Sequence, residues 1–213
     1  GVKRFLPFLN GEPFADPRMF DWLDYMEKEG VTVAIYTNAS LLDKEKVDRL
    51  VRYKNIDLVN CSLNATTPET YKRVVGLCCF DKTKANIEYL ISKAPFKVKV
   101  SMVAVEANRH EMYRFKRMWG KNLKTVREGY FANWAGKRHD VVERTGDKLP
   151  CYQLLTKLTI LWDGRVCLCC FDYEGEVILG DANKEHLQDI WNRAGALRER
   201  HLNLDFDMPL CRD

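Results

Sequence analysis

From Val2 to about Tyr130 the chain repeats one pattern, a short apolar run followed by an amphipathic stretch. Five such runs in series leave few folds open. Parallel strands need a crossover of a dozen or more residues, and an alternation of strand and helix supplies it, so the pattern predicts a parallel sheet with helices packed against it. The expected strands are Val2–Leu9, Val31–Tyr36, Ile56–Leu63, Phe96–Val105 and, more weakly, Leu123–Tyr130. Between them, helices are expected over Pro17–Glu29, closed by Gly30, and from Ser40 and Asp43 through Tyr53. Further helices are expected over Pro68–Val74, Asp81–Ile91 and Arg109–Trp119.

Ligands of parallel α/β folds bind at the carboxyl ends of the strands, where loops converge and helix N-termini present free N–H groups. Those ends read Asn10-Gly11-Glu12-Pro13, Tyr36-Thr37-Asn38-Ala39, Ser62-Leu63-Asn64-Ala65, Glu106-Ala107-Asn108-Arg109 and Tyr130-Phe131-Ala132-Asn133. Glycine, Asn, Ser and Pro are ordinary turn residues, so one such loop carries little; several in register at one end of a sheet carry more.

The stretch Asn133–Pro150 loses the apolar period and reads as a linker. Beyond it, Lys157–Trp162 and Arg165–Phe171 flank Asp163-Gly164, a strong hairpin signal, and Glu185–Arg200 is an amphipathic helix. With 34 basic and 30 acidic residues in 213, net +4, and no run of five like charges, no nucleic-acid partner is implied. The longest apolar runs, such as Leu158–Trp162, are far too short to span a membrane, and no signal peptide is visible. Eight cysteines stand at 61, 78, 79, 151, 167, 169, 170 and 211. A chain this regular is no disulfide scaffold, so they point to a cytoplasmic metal or cluster protein.

At the strand ends the sequence resembles radical S-adenosylmethionine enzymes. Asn10-Gly11-Glu12-Pro13 is similar to their Gly-Gly-Glu-Pro motif, Thr37-Asn38-Ala39 to Thr-Asn-Gly, and Ser62-Leu63-Asn64-Ala65 to Ser-Leu-Asp-Gly; Asn108-Arg109 follows the next strand. The resemblance implies a partial (β/α)6 TIM-like barrel of which these strands are the second to sixth. It implies that Glu12 binds the amino group of S-adenosylmethionine beside Asn10, Gly11 and Pro13. Ser62 and Arg109 then face its ribose or carboxylate, with Thr37, Asn38, Asn64 and Asn108 completing the contacts. The chain departs from the motifs at Asn10, Ala39, Ala65 and Asn64, and the family's Cys-x3-Cys-x2-Cys cluster motif is absent from it. The first strand and that cluster loop are expected upstream of Gly1, both ends read as cut, and the piece alone is expected to be inactive.

The tail is similar to the SPASM or twitch auxiliary-cluster domain. Cys151, twelve residues, Gly164, four residues and Cys169 fit its opening Cys-x(9–15)-Gly-x4-Cys; Gly180-Asp181 and Ile190-Trp191-Asn192 follow its later pattern, and Cys211 opens its second half. The hairpin brings Cys151 and Cys169 together, and thiolates converging there suit an iron–sulfur cluster or zinc. Alternation along the second strand places Cys167 and Cys169 on one face and Cys170 on the other. Cys61, Cys78 and Cys79 are read as core thiols, Trp22, Trp119 and Trp191 as core, and His110, His139, His186 and His201 as surface residues.

The expected division is a barrel over 1–135, a linker over 136–150 and the cluster domain over 151–213. The implied activity is reductive cleavage of S-adenosylmethionine to a 5′-deoxyadenosyl radical that takes a hydrogen from a peptide or small-molecule substrate. Clusters of the [4Fe–4S] type serve it, a catalytic one and auxiliary binding on Cys151, Cys169 and Cys211 that leaves one or two auxiliary clusters open, with an external donor such as flavodoxin or ferredoxin. A second reading is a non-catalytic module with zinc on the same three cysteines and loops binding a nucleotide or nothing, its metal serving folding.

Overall fold

The structure, a computed structural model, describes residues 1–128, 148–208, 210 and 211. The loop Tyr130–Asn133, His139, most of the expected linker, and Pro209, Arg212 and Asp213 lie outside the described residues. The chain divides into two compact units, Gly1–Tyr130 and Phe131–Asp213.

The first unit is a five-stranded sheet in the order β1 (Arg4–Phe5), β2 (Thr32–Thr37), β3 (Ile56–Ser62), β4 (Lys97–Ala104) and β5 (Leu123–Glu128). All four pairings are parallel. The crossovers are α1 (Met19–Lys28), α2 (Lys44–Leu50), α3 (Pro68–Val75) with α4 (Phe80–Lys93), and α5 (Met112–Trp119). Local chemistry sets their limits: Asp43 and Thr67 accept backbone N–H groups as N-caps of α2 and α3, and Gly76, at φ 80°, closes α3 in the left-handed conformation. One sheet face is apolar. Val33, Ile35, Val59, Cys61, Val100 and Met102 share a single buried core with Leu23, Val47, Leu50, Tyr71, Ile87, Leu90 and Phe115 from the helices. Each such side chain contributes roughly 1.5–3 kcal/mol on burial, and together they hold the strand ends in place.

The strand–helix order matches the sequence-based expectation, with shifted limits: α3 and α4 run slightly past their expected ranges, and most other elements fall short of theirs. The first strand contracts from Val2–Leu9 to two residues, because the chain after Phe5 leaves the sheet and Phe8 packs at a tilt on Tyr36 with ring centroids 4.6 Å apart. Trp22 is not core: it is 42% exposed, with the Arg18 guanidinium 5.9 Å from its ring centre. Nor is Cys78, which is exposed in the turn between α3 and α4. Cys61 and Trp119 are buried as expected.

The second unit holds a three-stranded antiparallel sheet of β6 (Thr159–Ile160), β7 (Arg165–Cys167) and β8 (Ile178–Asp181). It also contains α6 (Tyr152–Thr156), α7 (Leu187–Arg193) and α8 (Gly195–Leu202). Asp163-Gly164 turns the β6–β7 hairpin as expected, with Gly164 at φ 91°. Three features depart from expectation. The strand β8 emerges between Gly175 and the β8–α7 turn, too short to show a period. The expected single helix 185–200 is two helices that meet at Ala194-Gly195. Glu185 is drawn out of the helix, because its carboxylate accepts the Asp181 N–H at 3.1 Å and pairs with Arg193.

Candidate functional site

At the carboxyl ends of β1 and β2, Glu12 joins two loops. Its Oε1 accepts the Thr37 hydroxyl at 2.6 Å and the Phe14 N–H at 3.2 Å, and its Oε2 accepts the Asn38 N–H at 2.7 Å. Glu12 thereby also caps the 3₁₀ turn Pro13–Ala15, where Pro13 supplies the fixed φ that a first turn favours. Three donors hold an ionised carboxylate in one orientation, half-buried, with lone pairs left for a further cation. Beside it Gly11 is exposed, and a Cβ there would meet no heavy atom within 4 Å. Asn10 is exposed next to it, Thr37 is buried, and Asn38 is half-buried with its Oδ1 accepting the Ser40 N–H.

Between β3 and β4 the polar residues serve mostly one another. Asn64, at φ 61°, accepts the Val103 N–H at Oδ1. Asn108 is fully buried; its amide donates to the carbonyls of Asn64 and Val103 at 2.8 and 3.0 Å, and its Oδ1 accepts the Val105 N–H. Every polar atom of that side chain is committed to backbone, so Asn108 shapes the strand end from beneath. Arg109 is exposed at the start of the 3₁₀ turn Arg109–Glu111.

On the sheet face opposite the apolar core, Ser62 and Ser101 are register partners with hydroxyls 3.5 Å apart, and Asn60 donates to Ser101 at 2.9 Å. Asn60 is 2% exposed and its Oδ1 has no hydrogen-bond partner in the structure. Sequence reasoning passed over Asn60, although a lone Asn inside an apolar strand was a legible signal. It also passed over Glu111, whose carboxylate accepts the Thr66 N–H and the Thr67 hydroxyl and so ties the loop after β3 to the start of α5. Burial opposes the charge on Glu111, but those hydrogen bonds outweigh it and hold the carboxyl below its usual range.

In the second unit, Cys151 precedes α6, and Cys169 and Cys170 occupy the turn after β7. Cys151 and Cys211 pack against the same small core of Leu154, Leu168 and Met208. Strand β7 ends at Cys167 after a register shift, so the expected alternation through Cys170 does not hold. Burial pushes the Cys169 thiol up to about 11, with Cys170 and Cys151 adding to the rise. Burial likewise raises Cys170 and Cys211, and each again senses Cys151. Cys167, pushed up to about 12 by burial and by Asp172, donates to the carbonyls of Thr159 and Cys169 and serves the backbone. Fully buried Asp172 braces the turn by accepting the Glu176 and Val177 N–H groups.

His201 is a correction: expected at the surface, it is 3% exposed and lies between Cys151 and Cys211. Its four-residue spacing from Leu197, on the apolar side of the helix, was the signal. His110 and His186 are exposed as expected. Among the described residues, no three His, Cys, Asp or Glu side chains converge tightly enough to hold a single metal ion. Cys151 and Cys211, gathered against one small core, offer the soft sulfur ligands that iron–sulfur clusters take, and the residues present fit that group.

The family comparisons agree with this geometry. The profile of the radical SAM superfamily matches residues 1–117, and that of SPASM, an iron–sulfur cluster-binding domain, matches residues 151–213. The chain belongs to the radical SAM superfamily. This radical SAM chain is 30% identical over 141 residues to the antilisterial bacteriocin subtilosin biosynthesis protein AlbA of Bacillus subtilis, covering 64% of the chain and 31% of that protein. It is 29% identical over 131 residues to a probable GTP 3′,8-cyclase of Methanothermobacter marburgensis, covering 59% and 42%. The fold is similar to that of Streptococcus suis SuiB bound to its precursor peptide SuiA, with a TM-score of 0.70 and 15% identity over 92% of this chain and 55% of SuiB. SuiB bound to S-adenosylmethionine gives 0.66 at 16% identity over the same shares. The chain thus spans about a third to two-fifths of the length of the curated relatives it matches. The cofactors of the family are S-adenosylmethionine and [4Fe–4S] clusters, and no described helix is long and apolar enough to cross a membrane.

Proposed function

We propose that this radical SAM chain is part of a peptide-modifying enzyme whose barrel unit holds S-adenosylmethionine and whose residues 151–213 hold an auxiliary [4Fe–4S] cluster. The observation that carries the proposal is the Glu12 carboxylate, fixed by Thr37 and Asn38 beside an open Gly11. A preorganised anion next to bare backbone suits an α-ammonium group, and it needs no rearrangement when the ligand arrives. In this reading Glu12 binds the amino group of S-adenosylmethionine, while Gly11, Pro13 and Asn10 line the approach. Thr37 and Asn38 hold the carboxylate, Ser62 and Arg109 face the ribose or carboxylate, and Asn64 and Asn108 fix the loop beneath them. Cys151, Cys169 and Cys211 hold the auxiliary cluster. The bound cofactors supply reductive cleavage of a carbon–sulfur bond and abstraction of a substrate hydrogen; this chain's residues bind, orient and exclude water.

The peptide class is supported by the kinship to AlbA, a bacteriocin biosynthesis protein, and by the likeness to SuiB with its precursor peptide. The electron donor in this reading is a flavodoxin or ferredoxin, and the compartment is the cytoplasm. The test uses the whole protein, reconstituted and reduced anaerobically, with S-adenosylmethionine and a deuterated candidate peptide. Deuterium recovered in 5′-deoxyadenosine supports the reading. Deuterium recovered only from a labelled nucleotide would move the enzyme to the cyclase side of its relatives.

A further inference from the structure

One imidazole in the second unit touches both ends of its cysteine set. His201 on α8 accepts the Cys151 backbone N–H at Nδ1, 3.3 Å away across 50 residues of sequence, and turns Nε2 toward the Cys211 sulfur at 3.4 Å. A nitrogen that accepts an N–H carries no proton of its own, so the ring's single proton sits on Nε2 and points at sulfur. Phe206 stands edge-on to the ring, centroids 5.1 Å apart at 79°, and holds its plane. A ring this buried has both nitrogens used, each on a different member of the cysteine set.

We propose that His201 is a positioning residue of the auxiliary cluster site: it fixes the Cys151 backbone through Nδ1 and donates its Nε2–H to the Cys211 sulfur, tuning the reduction potential of the cluster those residues bind. The inference rests on the reading that Cys151, Cys169 and Cys211 hold a cluster. A hydrogen bond to a ligating sulfur draws charge from it, which favours the reduced cluster and raises its potential. Because the same ring also holds Cys151, one side chain sets both the electronics at one ligand and the placement of another.

The test measures iron and sulfide per chain and cluster potential, by a redox titration followed by electron paramagnetic resonance, on the anaerobically reconstituted whole protein. His201→Phe keeps the aromatic contact with Phe206 and removes both nitrogens. His201→Gln keeps a donor long enough to reach sulfur, and His201→Asn keeps one that is too short. The expected result is a lower potential for one cluster in His201→Phe and His201→Asn, faster loss of its iron to a chelator, and recovery toward the wild-type value in His201→Gln. Equal potentials in all four proteins at equal iron content would overturn the role of His201 while leaving the cluster in place. If His201→Phe does not fold, the contrast between Gln and Asn decides alone. Cys151→Ala and Cys211→Ala test the underlying reading separately: if both keep full iron, the cluster is held elsewhere and the inference about His201 falls with it.

Discussion

Thr37 donates its hydroxyl to Glu12 at 2.6 Å and, with the same oxygen, accepts the Ala39 N–H at 2.9 Å. One side chain thus passes the position of the β2 loop to the carboxylate that follows β1. The proposed cofactor anchor is held by neighbours on a different strand, and its orientation depends on the parallel register of the two.

Glu12→Gln is expected to weaken S-adenosylmethionine binding by roughly ten- to a hundredfold, the loss of a charge-assisted contact of about 1.5–3 kcal/mol. Thr37→Val leaves the charge and removes one support, so its loss is expected to be smaller, about tenfold or less. Calorimetric titration of the reconstituted protein reads both; equal affinities in wild type and Glu12→Gln would remove Glu12 from the site.

Ala39 is buried at φ 61°, where an L side chain costs about 1–2 kcal/mol and the related motif carries glycine. Ala39→Gly relieves that strain but gives up a buried methyl, about 0.8 kcal/mol, and gains unfolded-chain freedom of 0.5–1 kcal/mol. The terms nearly cancel, so the midpoint of chemical unfolding is expected to stay within about 0.5 kcal/mol of wild type. Ala39→Val, β-branched and larger, is expected to cost about 2 kcal/mol or more.

Glu111→Gln is expected to destabilise the first unit by about 1–3 kcal/mol at neutral pH, since the Thr66 and Thr67 donors lose an ionised acceptor. The folded carboxyl titrates below its usual range, so its contribution is present above the unfolded value of about 4.3 and disappears as pH falls through the folded value. Unfolding curves from pH 3 to 7 should show a shallower acid slope in the variant; parallel slopes would exclude the linkage.

Gly164→Ala places a Cβ on the Asn183 amide, which otherwise donates to the Asp163 carbonyl at 2.8 Å, and does so at φ 91°. A cost of about 2–3 kcal/mol is expected from the strain and the lost hydrogen bond. Asn183→Ala alone should cost about 1 kcal/mol and should offset part of the glycine substitution in the double variant, a coupling that thermal unfolding of all four proteins would measure.

Thiol reactivity should divide the cysteines. Cys78 is exposed and is expected to alkylate first in the metal-free protein, whereas Cys61 and Cys167, each pushed up to about 12 chiefly by burial, should react only on unfolding. Peptide mapping after timed alkylation gives the order, and early labelling of Cys61 would contradict its place in the core.

The barrel unit was legible because its signal is long and repeated: Val33, Ile35, Val59 and Cys61 lie in apolar runs, and Asp43, Thr67 and Gly76 mark helix limits by local chemistry alone. Glu12 stood out as the one acidic side chain of the strand-end motif, and the fold ties it to Thr37 and Asn38 of the next strand end. Asn108 and Asn64 were harder. A polar residue in a loop reads the same whether it meets a ligand or a neighbouring carbonyl, and only the fold brings Asn108 to the carbonyls of Asn64 and Val103. The second unit was least legible because its elements are short: β6 has two residues and β8 four, below the length at which a period shows. His201 was misjudged because the charged residues around it on α8 masked its apolar face.

In the first unit the spatial order of the strands is their order along the chain, β1 to β5, each pairing with the strand made just before it. Such a sheet can be laid down as the polypeptide leaves the ribosome, because no strand waits for a distant partner and loop-closure costs stay local. Glu12 follows β1 and Thr37 ends β2, two strands that are neighbours both in the sheet and along the chain, so the proposed cofactor anchor can close without waiting for β3, β4 or β5.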